Sequence, residues 1–372
     1  MMNMKFCAPC LFGLEGAVAN ELKNLGAENV NAENGKVTFF GDEKMMYKSN
    51  LWLRCAERVL IELGSFKATT FDELFEGVKK LPLSDFIGKS DAFPVKGWSL
   101  NSTLSSVPAC QSIIKKAVVK SLEKAYHQAW FEETGSVVQI QFSLLKDTAT
   151  IYIDTSGVPL HKRGYRKVSN EAPIKETLAA GMISLTKLFD DSNVYDPFCG
   201  SGTFAIEAAM KIKNIAPGLQ RHFAFENFKF FNERDFKEIR KEALEAVKKD
   251  ATFTIFASDI DPMAVSLTME NARRAGVAGH IKAKVADIKD FSISTQRGIV
   301  FTNPPYGERL LDVKAAEQLY KTMGEVFTRR RGLSYYIISP HEEFEKFFSS
   351  PADRRRKLYN GMIKCQVYMY FK

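Results

Sequence analysis

Val194-Tyr195-Asp196-Pro197-Phe198-Cys199-Gly200-Ser201-Gly202-Thr203-Phe204-Ala205-Ile206-Glu207-Ala208-Ala209 reads as a strand, a glycine turn and a helix. The apolar run stops at Asp196, two glycines follow, and an alanine-rich stretch begins at Thr203. Glycines at a strand-to-helix turn accept positive φ and let the backbone approach a ligand closely. The first helical turn behind them offers N–H groups that have no partner within the helix. About a hundred residues on, the chain reads Asn303-Pro304-Pro305-Tyr306.

Between and after these two stretches, strands and helices alternate. Strand-like runs lie at 253–258, 281–286, 299–302 and 334–339, and helical spacing at 263–275 and 315–328. Two final strands, 354–359 and 363–371, flank a turn at Asn360-Gly361. Such alternation predicts an α/β fold with a mostly parallel sheet, and the closing hairpin adds an antiparallel edge strand. Upstream, residues 4–65 and 66–155 read as two small α+β units. Asn34-Gly35 marks a type I′ hairpin in the first, and 137–145 with 148–153 a hairpin in the second.

Ligands of open α/β sheets bind outside the carboxyl ends of the strands. Here those ends carry Asp196, Asp259, Asp287 and Asn303. A carboxylate at the end of the second strand suits a ribose diol, and Asp287 suits an adenine amino group. Asp261-Pro262 reads as the N-cap and first position of the next helix. Together these positions describe a nucleoside cofactor. A dinucleotide fits less well: Asp259 lies 57 residues past Gly202, where that fingerprint wants an acid after about 20. An insertion over roughly 211–250, rich in Lys, Glu and Phe, has to intervene.

Asn303-Pro304-Pro305-Tyr306 answers a chemical need. The lone pair of an exocyclic base amine is delocalised into the ring. An Asn side-chain carbonyl and the Pro304 backbone carbonyl can accept its two N–H bonds and favour a pyramidal nitrogen. Successive prolines fix the backbone and so preorganise the acceptors. Tyr306 offers a ring for stacking on the base, on the order of 1–3 kcal/mol. A methyl group moving in line from a sulfonium gains rate mainly from orientation.

Charge is unevenly placed. The net +8 divides into 17 basic against 18 acidic side chains in residues 1–160, and 35 against 26 in residues 161–372. The basic half is the one with the glycine turn, which points to a polyanionic partner. His161-Lys162-Arg163-Gly164-Tyr165-Arg166-Lys167 is the densest basic and aromatic cluster, so Lys162, Arg163, Tyr165, Arg166 and Lys167 are expected to grip the phosphates of such a partner. Arg329–Arg331 and Arg354–Arg356 are expected to add to that grip. Cys7-x-x-Cys10 has no second pair or matching histidines, so no metal is expected. No apolar run approaches the ~18 residues of a membrane span. The N-terminus lacks the apolar stretch of a signal peptide, which points to the cytoplasm.

These motifs resemble class I S-adenosylmethionine-dependent methyltransferases. More narrowly, the chain resembles the THUMP-domain guanine-N2 methyltransferases of bacterial 23S ribosomal RNA, the RlmL type. His161 to Arg166, Ala172-Pro173 with Leu178-Ala179-Ala180, Asn214 to Arg221 and Tyr359-Asn360-Gly361-Met362 carry the likeness beyond the two principal turns. The resemblance implies a ferredoxin-like part at 1–65, a THUMP domain at 66–158 and a Rossmann-like methyltransferase domain at 159–372. It implies S-adenosylmethionine held by Asp196, Phe198, Gly200, Gly202, Thr203, Asp259, Ile260, Asp287, Ile288 and Asn303. Asn303, Pro304, Pro305 and Tyr306 would be catalytic. The implied partner is 23S rRNA or a large-subunit precursor, with no obligate protein partner. Some members of the family carry a second methyltransferase domain, and a chain ending at Lys372 is expected to make a single modification. Transfer to a tRNA guanine or to adenine N6 keeps the same chemistry with another acceptor. A non-catalytic ribosome-assembly factor is the alternative of another class.

Overall fold

The computed structural model describes residues 3–166, 173–306 and 313–371. Its N-terminal half runs β1 (Met4–Pro9), α1 (Glu15–Asn24), β2 (Glu28–Glu33), β3 (Lys36–Gly41), α2 (Glu43–Trp52) and β4 (Leu60–Lys67). It continues with α3 (Phe71–Lys79), β5 (Val95–Leu100), α4 (Val107–Tyr126), β6 (Ile140–Leu145) and β7 (Thr148–Asp154). Helix starts are set by side chains: Thr70 and Glu73 form a reciprocal cap on α3, and Ser106 caps α4 ahead of Pro108.

The two small units expected here share one sheet, ordered β2-β3-β1-β4-β7-β6-β5. The joint is β4, which pairs with β1 on one side and β7 on the other. The apolar run that opens this strand ends at Leu63. The chain instead shifts register between Glu62 and Gly64 and stays paired to Lys67. The hairpin at Asn34-Gly35 is present, but only Gly35 has positive φ (76°), so the turn is not type I′, which needs two such residues.

The second half runs α5 (Glu176–Ile183), β8 (Asn193–Asp196), α6 (Thr203–Ile212), α7 (Glu233–Glu245), β9 (Thr254–Asp259), α8 (Pro262–Arg274) and β10 (Ile281–Val285). It closes with β11 (Gly298–Thr302), α9 (Val313–Val326), β12 (Leu333–Ser339), α10 (Phe344–Phe347), β13 (Arg354–Asn360) and β14 (Ile363–Tyr370). The sheet order is β10-β9-β8-β11-β12-β14-β13. The first five strands are parallel, and β14 runs antiparallel to both β12 and β13. From β8 the chain builds outward first on one side and then on the other. The strand order therefore reverses at β8, where open sheets place their ligand crevice.

The 211–250 insertion fastens this half to the first one. Its phenylalanines 225, 231 and 236 surround the Tyr47 ring of α2 at centroid distances of 4.9, 5.7 and 5.6 Å. The Tyr47 hydroxyl accepts from the Asn232 amide at 3.0 Å, and the Gly218 amide donates to the Leu51 carbonyl at 2.9 Å. Phe225 and Phe236 belong to the core of the N-terminal half. The aromatic richness of the insertion is thus explained by what it buries.

Candidate active site

Asp196 closes β8 and is 1 % exposed. Burial raises its carboxyl well above the ordinary value, against the Phe198 amide that donates to it at 3.3 Å. Gly200 and Gly202 take φ of 52° and 83°. At Gly202 a Cβ would stand 2.9 Å from the Thr268 methyl, so the position is closed to larger residues both by φ and by space. The loop is held from behind by α8. The Thr268 hydroxyl donates to the Gly200 carbonyl at 2.9 Å, and the Asn271 amide to the Ser201 carbonyl at 3.0 Å.

Asp259 ends β9 with both oxygens oriented: one accepts from the Gly200 amide at 2.9 Å, the other from the Asp261 amide at 3.1 Å. A carboxylate has about four acceptor positions, so capacity for two hydroxyls is left. Asp261 caps α8 by accepting from the Met263 amide at 2.8 Å, as its sequence predicts. Asp287 starts a short 3₁₀ turn by accepting from the Lys289 amide at 3.0 Å.

β11 ends at Thr302, which is fully buried, and delivers Asn303. Among the described residues, Thr302 Oγ1 and Asn303 Oδ1 are buried with no hydrogen-bond partner. Such an acceptor costs on the order of 1–3 kcal/mol while unsatisfied, which is tolerated where a ligand supplies the donor. Tyr306 is 7 % exposed, and its hydroxyl accepts from Asn360 Nδ2 at 2.9 Å.

One cavity of about 650 Å³ unites these groups. Asp196, Phe198, Gly200, Thr203, Asp259, Ile260, Asp287, Ile288, Asn303 and Pro305 all line it. Gly202, Pro304 and Tyr306 do not. Gly202 packs behind the loop, and burial of the Tyr306 ring beside Asn360 removes it from the open stacking position expected of it. A further wall comes from Ala315, Gln318, Leu319 and Thr322 of α9, and Pro173 and Ile174 also line the cavity. Sequence reading missed this wall, because α9 looks like an ordinary amphipathic helix. It also missed Thr268 and Asn271, whose only signal is a pair of polar residues three apart on the buried face of α8.

The cluster expected to grip RNA is mostly inside the protein. Arg163 is 2 % and Tyr165 1 % exposed. Arg163 pairs with Glu207 of α6 at 3.3 Å and donates to the carbonyls of Leu160 and Arg54. Tyr165 donates to Glu207 at 3.1 Å. Arg166 donates to Thr203 Oγ1 at 2.6 Å and pairs with Glu176 at 3.4 Å. These three brace the loop at Gly200 and the helix behind it, and Arg163 also joins the two halves through the Arg54 carbonyl. Lys162 is exposed, and Lys167 lies outside the described residues. Arg329 and Arg330 cap loops at the end of the sheet away from the cavity, on Asp353 and on the carbonyls of Ile293 and Thr295. Arg355 pairs with Glu345, and Arg356 donates to the Gly13 carbonyl. Of the two arginine runs only Arg329 is part-buried; Arg330, Arg331, Arg354, Arg355 and Arg356 are exposed.

All six cysteines are free and buried. Among the described residues no group of His, Cys, Asp and Glu is placed to hold a metal ion, and no helix is long and apolar enough to cross a membrane.

Three family profiles match. An RlmL ferredoxin-like domain covers residues 5–60, a THUMP domain 68–154, and an RMKL-like methyltransferase domain 163–369. YpsC of Bacillus subtilis, provisionally named an RNA methyltransferase, is 45 % identical over 373 residues, covering 100 % of this chain and 97 % of its own length. The ribosomal RNA large subunit methyltransferase K/L of Psychromonas ingrahamii is 33 % identical over 99 % of this chain. There the chain spans only 50 % of the relative's length. Among solved structures, SMU.472, a protein assigned to the methyltransferases and crystallised with SAH, superposes with a TM-score of 0.94. It is 42 % identical, covering 100 % of this chain and 98 % of that one.

Proposed function

Since the chain belongs to the RMKL-like methyltransferase family, with ferredoxin-like and THUMP domains ahead of the catalytic one, we propose that it methylates the exocyclic N2 of a guanine in 23S rRNA or a large-subunit precursor. S-adenosylmethionine is the family's methyl donor, and the residues present fit it. The positive-φ turn at Gly200, the oriented Asp259 carboxylate and the unpartnered Asn303 Oδ1 face one cavity of nucleoside size. Bound there, the cofactor supplies an electrophilic methyl group.

The observation that carries the reading is Asn303. Its buried carbonyl oxygen faces no donor within the described protein. An incoming amine supplies one, and accepting that N–H keeps the nitrogen lone pair available. Asp259 would hold the ribose diol, Asp287 the adenine amine, and Gly200 the close backbone approach. Asp196 lines the same cavity, where a cationic donor would favour its ionised form against the burial that disfavours it. The amine would gain the methyl carbon as the sulfur–methyl bond breaks and the neutral thioether leaves, and would give one proton to solvent, so no buried base is needed.

The large-subunit substrate draws support from the K/L relatives, of which this chain matches half. The THUMP match favours structured RNA over DNA. The test uses labelled S-adenosylmethionine with unmodified large-subunit rRNA, bulk tRNA and genomic DNA, followed by nucleoside separation. N2-methylguanosine from rRNA alone is expected. The same product from tRNA would change the acceptor, N6-methyladenine from DNA would overturn the substrate class, and a protein that binds the cofactor but transfers nothing would return the non-catalytic reading.

A further inference from the structure

We infer that Asn360 is a positioning residue for methyl transfer, acting through Tyr306 on the turn that carries Asn303. It rests on the methyltransferase reading above, not on the identity of the nucleotide. Sequence patterning puts Asn360-Gly361 in a hairpin turn. In the structure the turn falls one residue later: Asn360 is the last residue of β13 and pairs with Ile363. That shift takes Asn360 out of solvent, to 9 % exposure. Its Nδ2 then donates to the Tyr306 hydroxyl at 2.9 Å, a contact 54 residues apart in sequence.

The geometry of Asn303-Pro304-Pro305-Tyr306 leaves this contact a specific task. The prolines fix φ at two positions, which makes the turn stiff. Stiffness alone does not place it relative to the cofactor cavity. At its start the turn is held by β11, which is paired to β8 and β12. Beyond the prolines the anchoring side chain is Tyr306, buried and hydrogen-bonded to Asn360. The bond ties the turn to β13, at the far edge of the sheet from β9 and β10.

β13 is itself held by the N-terminal half. Arg356 donates to the Gly13 carbonyl at 3.1 Å, and the rings of Phe12 and Tyr359 meet edge-on with centroids 6.0 Å apart. Gly13 is pressed so closely that a Cβ there would stand 2.8 Å from Leu358. The loop after β1, β13, Asn360 and Tyr306 thus form one mechanical path from the N-terminal half to the catalytic turn. Acceptors must be set to within about 0.5 Å, and a displacement of about 1 Å can cost 100-fold in rate.

The variants are N360A, Y306F and N360A/Y306F. Turnover is measured on whichever nucleic acid the wild-type protein methylates, and cofactor affinity by calorimetry. N360A is expected to lower turnover about 10–100-fold, with cofactor affinity changed less than about twofold, because Gly200, Asp259 and Asp287 lie at the ends of other strands, β8, β9 and β10. Y306F removes only an oxygen and tests the same bond where N360A destabilises the fold. The double variant is expected to fall no further than the worse single one, as members of one interaction do. Multiplying losses, turnover of N360A within about twofold of wild type, or a matching loss of cofactor affinity would each overturn the assignment. Hydrogen exchange over residues 299–306 decides the same question without an acceptor: N360A should speed it, and unchanged exchange would sink the inference. A wild-type protein that methylates tRNA or DNA instead would overturn the rRNA reading alone.

Discussion

Replacing Glu207 tests whether the basic junction is structural. Glu207 is 1 % exposed on α6 and carries three contacts: Arg163 Nε at 3.3 Å, Arg163 Nη2 at 3.5 Å and the Tyr165 hydroxyl at 3.1 Å. Burial opposes the charge of Arg163, and Glu207 with Glu176 outweighs it, so the guanidinium is held charged. Glu207→Gln keeps the volume and removes the counter-charge. Breaking a buried pair from one side costs roughly 3–5 kcal/mol, because the surviving charge stays out of water. At about 2–3 °C per kcal/mol for a large domain, melting should fall by roughly 6–15 °C. The double change Arg163→Met with Glu207→Leu removes the stranded charge but leaves the Leu160 and Arg54 carbonyls without their donor, so it should recover only part of the loss. Differential scanning fluorimetry at neutral pH reads both variants and the single Arg163→Met, beside an RNA-binding titration of Arg163→Met. A melt of Glu207→Gln within about 2 °C of wild type, together with weakened RNA binding by a normally stable Arg163→Met, would refute the brace and restore Arg163 to the RNA surface.

The remaining predictions concern the cavity, the half-to-half contact and the thiols. Asp196→Asn should raise the melting temperature of the cofactor-free protein at neutral pH, since burial lifts the Asp196 pKa and ionising it there costs stability; it should also weaken cofactor binding, and a tighter complex would remove Asp196 from the site. Glu57 is the opposite case: burial pushes its pKa up, but the bonds from His161 and Thr177 and the charge of Lys175 bring it down to about 2. A depressed carboxyl stabilises above its unfolded value of 4.5 and loses that contribution as pH falls towards 2. The gap in denaturant stability between wild type and Glu57→Gln, about 3 kcal/mol near neutrality, should therefore close between pH 4.5 and pH 2, and a gap that widens on acidification would reverse the argument. Asn303→Ala should lower turnover by about 10²–10³, the cost of a lost charge-stabilising contact, with cofactor affinity preserved in calorimetry; equal losses of both would make Asn303 a cofactor ligand only. Cys7 and Cys10 are raised to about 12 by burial, so at pH 8 neither should react with iodoacetamide until the protein unfolds, and rapid native alkylation would contradict their placement.

The two turns were legible because their chemistry is local. A strand end, a glycine pair and a carboxylate in the next strand are spaced by backbone geometry, and ten of the expected residues do line one cavity. What sequence could not show is which side of a residue faces inward when the partner is remote. Tyr165 and Arg163 have the composition of an RNA contact. Their partner, Glu207, lies more than forty residues on, in a helix where one acid among alanines is easily passed over. Asn360 was read as a turn residue because Asn-Gly is a turn signal. A one-residue shift in the hairpin, set by pairing with β14, turned it into a buried donor.

The basic excess of the second half therefore divides into two populations. Arg163 and Arg221 are spent inside on carbonyls and a carboxylate at the contact between halves, and Arg166 on Thr203, Ile174 and Glu176 within the second half. Exposed groups such as Lys162, Arg331 and Arg354 remain for a polyanion. Composition counts both alike, so net charge overstates the RNA footprint. The buried set has its own consequence. α6 begins at the cofactor loop, where Thr203 accepts from Arg166, and one turn later Glu207 accepts from Arg163 and Tyr165. Arg163 also reaches the Arg54 carbonyl in the N-terminal half. The helix that shapes the cofactor loop is thus pinned to the N-terminal half through charges. A change in how that half seats on the protein has a direct, short path to the loop at Gly200.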